Sequence, residues 1–228
     1  MNPKIRNINK DWRNAFPKLK SIGTNRLFEI VGPLLIGIEL VKSKFGDNYK
    51  PYLIISSLFG SDIATNRGDN KLRSCLNSPD LYYPLVSLSV DYDNSSHEMT
   101  RIVEEVRKKH LPLEQNISAI ELIDFIDFHK THSSIVSGSS GAQAYLLELK
   151  YLISVYLNNE TLKSKVIKEI DSDKKFWNPE HFEMWIGDYN VWLDKLKKIE
   201  RCKLNDSMNY ILSDPKLKNI NRFKLINT

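Results

Sequence analysis

The chain has 228 residues and a net charge of +5, because 33 lysines and arginines face 28 aspartates and glutamates. A chain of this length can bury a hydrophobic core without the help of disulfides or metals. Its two cysteines, Cys75 and Cys202, form no CxxC pair, so neither a disulfide framework nor a structural zinc set is expected. No apolar run is long enough to span a bilayer. We therefore expect a cytoplasmic protein with no membrane association, no cofactor and no metal site.

Four segments in the first half have the composition of β-strands. Residues 27–31 and 33–41 come first, and residues 49–59 follow the turn-forming sequence KFGDNY, which predicts a hairpin across Phe45 to Asn48. Both faces of the second segment are apolar, which is typical of a strand covered on both sides. Residues 83–92 alternate apolar and polar side chains and predict a fourth strand with one buried face.

The rest of the chain has the apolar periodicity of helices. The helical segments are residues 94–110, 117–130, 142–157, 160–170 and 183–202. Ser95 with Glu98, and Ser118 with Glu121, have the spacing of capping boxes at the start of the first two. The apolar stripe of residues 142–157 is the widest and predicts a central helix buried on more than half its circumference.

This order of elements predicts an α+β fold, because strands and helices would alternate in an α/β fold. We expect a mostly antiparallel N-terminal sheet of about four strands, packed with a C-terminal group of about five helices. Residues 1–228 are predicted to form a single domain. A soft boundary near residues 110–118, where a proline interrupts the helical pattern, separates a sheet-rich part (1–110) from a helical part (118–228).

The last predicted helix carries a seam of large apolar side chains at spacings of four and three. The seam consists of Trp185, Tyr189, Trp192, Leu196 and Ile199. Such a seam packs against another helix. That partner helix is either in the core of the same chain or in a second copy of it.

The stretch SGSSGAQAY offers one candidate binding site. Ser139, Ser140, Gly141 and Ala142 could hold an anion, because hydroxyls, glycines and the first amides of a helix are the groups that bind phosphate. The stretch lacks the GK[ST] of a P-loop and the GxGxxG of a dinucleotide fold. The alternative is that both serines are helix N-caps and both glycines are ordinary loop residues.

His129 and His132 are the candidates for a catalytic role. They lie three residues apart at the end of a helix that also carries Glu121, Asp124 and Asp127, a set that could in principle bind a metal. Acidic residues toward the start of a helix and histidines toward its end also favour the helix dipole, so we predict a solvated helix edge and no metal ion.

The C-terminal segment is the most basic part of the chain. Lys197, Lys198, Arg201 and Lys203 are the candidate contacts to a phosphate backbone, with Trp192 nearby to stack on a base. The alternative is that the aromatic side chains belong to the helix seam and the lysines to a solvated face.

Three hypotheses for function follow. The leading one is a non-enzymatic accessory protein of bacterial origin that acts by binding another macromolecule, another protein in the first place, such as an immunity or inhibitor protein against a toxin. The second is an enzyme for a phosphate-bearing substrate that uses His129, His132 and the serine-glycine loop. The third is nucleic-acid binding through the basic C-terminal segment, with an affinity that falls steeply with salt.

Overall fold

The computed structural model describes residues 3–44, 46–59, 79–91, 95–109 and 111–227. Within them the helices are α1 (Pro3–Ala15), α2 (Ser95–Lys109), α3 (Ala119–His132), α4 (Ser134–Ser137), α5 (Ser140–Tyr156), α6 (Glu160–Asp173), α7 (Pro179–Trp185), α8 (Tyr189–Lys197) and α9 (Arg201–Leu212). The strands are β1 (Lys20–Ser21), β2 (Arg26–Val31), β3 (Leu34–Lys42), β4 (Asn48–Ser57), β5 (Leu81–Pro84), β6 (Val90–Asp91), β7 (Ile117–Ser118), β8 (Arg222–Phe223) and β9 (Leu225–Ile226). A 3-10 turn, Lys174–Phe176, follows α6.

The main sheet has the order β1-β2-β3-β4-β5, and each neighbouring pair is antiparallel. Strand β6 pairs with β4, and β8 adds a short parallel pairing to β2. Strands β3 and β4 form the predicted hairpin, in register from Leu34 opposite Ser57 to Lys42 opposite Tyr49. The α+β class is thus confirmed.

The predicted fourth strand is divided in two. Strand β5 stops at Pro84, which lies opposite Tyr52, and pairing with β4 resumes only at Val90 opposite Tyr49. Proline has no N–H to donate to a sheet ladder, so a strand tends to end or bulge at it. The prediction of one continuous strand with one buried face over residues 83–92 is therefore wrong, since Leu85 is buried whereas Leu88 is 79% exposed.

Both faces of the sheet are buried, as the composition of β3 predicted. Leu27 and Val31 of β2 belong to one hydrophobic cluster, and Phe28 and Ile30 of the same strand belong to another. Helices α1, α2 and α3 contribute to the first cluster, and α6, α7, α8 and α9 contribute to the second. Helix α1 precedes the sheet in sequence and was not predicted, so the helical cover is not confined to the second half of the chain.

Helix α5 is the predicted central helix. Thirteen of its 17 residues are buried. Leu149 and Ile153 belong to the first cluster, whereas Leu147 and Tyr151 belong to the second. The helix therefore joins the two halves of the core.

The apolar seam is mostly core. Trp192, Leu196 and Ile199 are buried in the second cluster, and Tyr189 packs against it. Trp185 is 53% exposed, because α7 ends there and Gly187, with φ of +103°, turns the chain before α8 begins. One predicted helix is therefore two, and most of the seam is covered by the chain itself.

The segment between α2 and α3 is tied to the sheet by a buried carboxyl group. Glu29 of β2 is fully buried, and its Oε2 accepts a hydrogen bond of 2.8 Å from the backbone N–H of Glu114. The Glu114 carboxylate in turn accepts a 2.5 Å hydrogen bond from the backbone N–H of Lys18. Strand β7, just beyond, pairs in parallel with β9 at the C-terminal end. The predicted soft boundary is thus held by contacts to both parts of the chain.

Candidate functional site

A groove with a volume of about 620 Å³ lies beside β5, the edge strand of the main sheet path. Its walls are Tyr83 of β5, Glu105 of α2, Leu111 and Pro112 of the following segment, and Glu121, Asp124, Phe125 and Phe128 of α3. We call this surface the acidic groove. Its volume is in the range of sites that bind a small molecule or an anchoring side chain of a partner.

Helix α3 supplies one wall of the acidic groove because of its residue spacing. Glu121, Asp124, Phe125 and Phe128 are separated by three, one and three residues, so they lie on one face of the helix. The helix begins at a capping box, in which Ser118 accepts from a backbone N–H and Glu121 accepts from the backbone N–H of Ser118. The predicted capping box is therefore confirmed here. The one predicted for Ser95 and Glu98 rests on a side chain outside the described residues.

The aromatic rings of the acidic groove are supported by neighbouring rings. Tyr83 makes edge-to-face contacts with Phe125, at 5.3 Å between ring centroids, and with His129, at 5.5 Å. Phe128 is stacked on His132 at 4.1 Å and remains 46% exposed. The rings are thus positioned before any ligand arrives.

The two candidate histidines lie in different surroundings. His129 is buried beneath Tyr83, and burial lowers the pKa of its imidazole from 6.5 to about 4, so the ring is neutral at physiological pH. His132 is exposed, and its Nδ1 lies 3.0 Å from the backbone oxygen of Phe128. Both rings support an aromatic wall of the acidic groove, and the structure does not bring their nitrogens together at one reacting position.

The serine-glycine loop is engaged with its own helix and with the segment before α7. Ser139 is the N-cap of α5, and its Oγ accepts from the N–H of Ala142 at 3.2 Å. Ser140 is buried, and its Oγ accepts from the N–H of Asn178 at 2.9 Å. A Cβ on Gly141 would lie 2.8 Å from the Cβ of Trp185. The hydroxyls and an amide expected to face an anion therefore have partners within the protein, and none of these contacts involves the histidines.

The four candidate phosphate contacts lie together at the corner between α8 and α9. Lys197, Lys198, Arg201 and Lys203 are all exposed. Trp192 is buried against α5, and its Nε1 donates to the Glu148 carboxylate, so its ring is not available to stack on a base. The corner is a basic surface without the predicted stacking platform.

The sequence analysis did not predict a network of ion pairs around the buried Lys150. Lys150 of α5, only 2% exposed, lies 2.6 Å from Asp127 of α3 and 2.5 Å from Glu169 of α6. Lys130 of α3 contacts Glu169 at 2.6 Å and also contacts Asp173. Burial alone would lower the pKa of Lys130, but the two carboxylates outweigh it and raise that pKa. The network clamps three helices together.

The E-x-K spacing of Glu148 and Lys150 also occurs in restriction-type nucleases, where both residues lie on one strand and can hold a divalent cation together. Here the two side chains have separate partners on different helices. They therefore do not share a face as they would on the strand of a nuclease site.

Among the described residues, no group of three or more His, Cys, Asp or Glu side chains is placed to hold a metal ion. None of the helices in the described part of the chain is both long enough and apolar enough to cross a membrane.

The signal that could have found the acidic groove is in the sequence ELIDFIDF of α3. Two acidic residues, Glu121 and Asp124, and two aromatic residues, Phe125 and Phe128, follow one another along the same face of the helix. The prediction of a solvated helix edge accounts for the carboxylates on this face, but it does not account for the exposed ring of Phe128. Comparisons with protein-family models, with curated proteins and with solved structures gave no match to this chain.

Proposed function

We propose that this protein acts by binding another protein, and that the acidic groove is the contact surface. The observation that carries the proposal is the composition of this groove: preformed aromatic walls, one ring nearly half exposed, next to three carboxylates. Aromatic side chains in a concave surface are typical anchors of protein interfaces. A role as an immunity or inhibitor protein, which masks a toxin by binding it, is one form of this function.

The placement of the candidate catalytic groups favours binding over catalysis. An acid-base histidine needs a nitrogen within hydrogen-bonding reach of a reacting group. The imidazole of His129 is buried beneath Tyr83, and that of His132 is stacked on Phe128. Their contacts make them supports of the groove walls.

Site-specific photocrosslinking in the native cells tests the proposal. A photoreactive phenylalanine analogue replaces Phe128 in one variant and Phe176, which is 85% exposed on the 3-10 turn after α6, in a control. We expect a discrete adduct with a partner from position 128 only. The adduct should disappear when Asp124→Lys is added, because a lysine introduces the opposite charge into the groove.

Equal adducts from both positions, or no adduct from position 128, would contradict the assignment of the groove. Identifying the crosslinked partner by mass spectrometry then shows whether it is a toxin. Reconstitution of the complex from the two purified proteins checks that the contact is direct.

A further inference from the structure

The chemistry of the acidic groove defines the kind of partner that it fits. We propose that its occupant is a cationic segment of another protein, in which an arginine or lysine next to an apolar residue lies between the aromatic rings and the carboxylates. This inference rests on the proposed function and adds the chemistry of the partner to it.

The charge of the groove is opposite to that of the chain. Glu105, Glu121 and Asp124 line it, whereas the protein carries a net charge of +5. Asp124 is exposed and, within the described residues, has neither a hydrogen bond nor an ion pair. A cationic segment is therefore attracted to this surface, although the chain as a whole carries an excess of positive charge, and this contrast favours encounter at the groove.

The other two carboxylates of the groove already have partners within the protein. Glu121 accepts a hydrogen bond of 3.3 Å from the backbone N–H of Ser118, a neutral donor. Glu105 faces Arg101 at 3.4 Å, but the arginine side chain is 62% exposed, so solvent screens this pair. An incoming guanidinium or ammonium group can therefore form charge-assisted hydrogen bonds at the rim.

The aromatic walls favour the same ligand. The face of a phenylalanine or tyrosine ring attracts a cation, and a planar guanidinium stacks on it as well. Phe128 is held by His132 on one side, and Phe125 is held by the edge contact with Tyr83. Because the rings are already ordered, little side-chain entropy is lost on binding. Leu111 and Pro112 complete the wall and accommodate an apolar neighbour of the cation.

Peptide selection on the full-length protein tests this without assuming a partner. A display library of random peptides is selected on the wild-type chain, with the double variant Glu121→Lys and Asp124→Lys used for depletion. We expect enrichment of peptides with arginine or lysine beside leucine or an aromatic residue. For the best synthetic peptide, replacing its arginine by the neutral isostere citrulline should weaken binding about tenfold.

Matched variants locate the contact on the protein. Glu121→Gln removes the charge but keeps the capping box, which accepts Gln as well as Glu, and should weaken peptide binding about two- to fivefold. Asp124→Asn should have a similar effect, and Phe128→Ala should weaken binding about three- to tenfold. Glu183→Gln, an exposed carboxylate on α7, is the control and should leave the affinity unchanged.

Each other outcome overturns the inference in a recognisable way. Selected peptides that lack a cation but depend on Phe128 would retain the groove as a binding surface and refute its preference for basic segments. Failure to select any groove-dependent peptide, together with no crosslink at position 128, would refute the proposed function itself.

Two other sources of a cation are also distinguished. Saturable binding of spermidine to the groove, without selection of a basic peptide, would assign the groove to a free polyamine. Concentration-dependent self-association that Lys198→Glu abolishes would assign it to the basic corner of a second copy. Either result would refute a cationic segment of another protein as the occupant.

Discussion

Replacing Glu29 by glutamine should change how the stability of this protein depends on pH. Burial raises the pKa of the Glu29 carboxyl from 4.5 to about 8, and the Glu114 carboxylate adds to the increase. The hydrogen bond from the Glu114 N–H and the charge of Lys18 oppose it without cancelling it. Oε1 of Glu29 has no hydrogen-bond partner among the described residues, so little compensates an ionised carboxylate at this position.

The size and direction of the effect follow from this pKa. Below pH 4.5 the carboxyl is protonated in the folded and the unfolded chain alike. Between pH 4.5 and about 8 the unfolded chain releases the proton while the folded chain retains it, so the free energy of unfolding falls as the pH rises. At about 1.4 kcal/mol per pH unit, the full loss is on the order of 5 kcal/mol. Above about pH 8 both states are ionised and the loss remains constant.

Glutamine keeps the oxygen that accepts from Glu114 and removes the ionisation. We expect the free energy of unfolding of Glu29→Gln to exceed that of the wild type by an amount that grows from pH 5 to pH 8. Urea unfolding monitored by tryptophan fluorescence, at pH values from 4 to 9, measures the difference. Glu180→Gln, an exposed carboxylate at the start of α7, is the control and should give a difference that does not vary with pH.

A difference between Glu29→Gln and the wild type that stays constant from pH 4 to pH 9 would refute the reasoning. It would mean that Glu29 titrates equally in the folded and the unfolded chain, contrary to the effect that burial has on the pKa of a carboxyl group. If the variant is less stable at every pH, the comparison of slopes still decides the question, because a packing defect shifts the curve without tilting it.

Three further predictions concern the packing around the candidate sites. The difference in free energy of unfolding between His129→Phe and the wild type should shift in favour of the variant by on the order of 3 kcal/mol as the pH falls from 6.5 to about 4, because unfolding frees the buried imidazole of the wild type to take a proton. A difference that stays constant over this range in urea unfolding would contradict this. Lys150→Met should lower the free energy of unfolding by about 2–4 kcal/mol, because it removes the cation that contacts Asp127 and one of the two cations that contact Glu169. The exposed Lys168→Met should change it by less than about 0.5 kcal/mol, and similar values for the two would show that the network does not stabilise the fold. Gly141→Ala should cost about 1–3 kcal/mol because its methyl group would lie 2.8 Å from the Cβ of Trp185. Gly138→Ala, with only one atom at 3.4 Å, should be nearly neutral in the same assay, and equal costs would refute the close contact.

Local sequence patterns were sufficient for most of the regular structure. The turn-forming sequence between two apolar segments predicted the hairpin of β3 and β4, and helical periodicity predicted α3, α5 and α6. The capping box at Ser118 could also be predicted, because its two residues are three positions apart in the sequence. Each of these features depends on neighbours along the chain.

The candidate site could not be predicted in the same way, because it is formed by residues that are close in space but distant in the sequence. The acidic groove joins Tyr83 of an edge strand to Asp124 and Phe128 of a helix some forty residues later. Periodicity shows which face of α3 is polar, but it does not show that β5 and Pro112 enclose that face. The interpretation of the α3 carboxylates as a solvated edge was incomplete for this reason.

The sequence also does not show which charged residues are buried. The sequence alone determined that the chain is long enough for a core, carries a small positive charge and has the order of elements of an α+β fold. Only the tertiary structure decided that Glu29 and Lys150 are buried, and that among the described residues Lys150 forms two ion pairs whereas Glu29 accepts a hydrogen bond from a backbone N–H. A charged residue has the same intrinsic polarity wherever it occurs, and its pKa and its role are set by the groups that folding places around it.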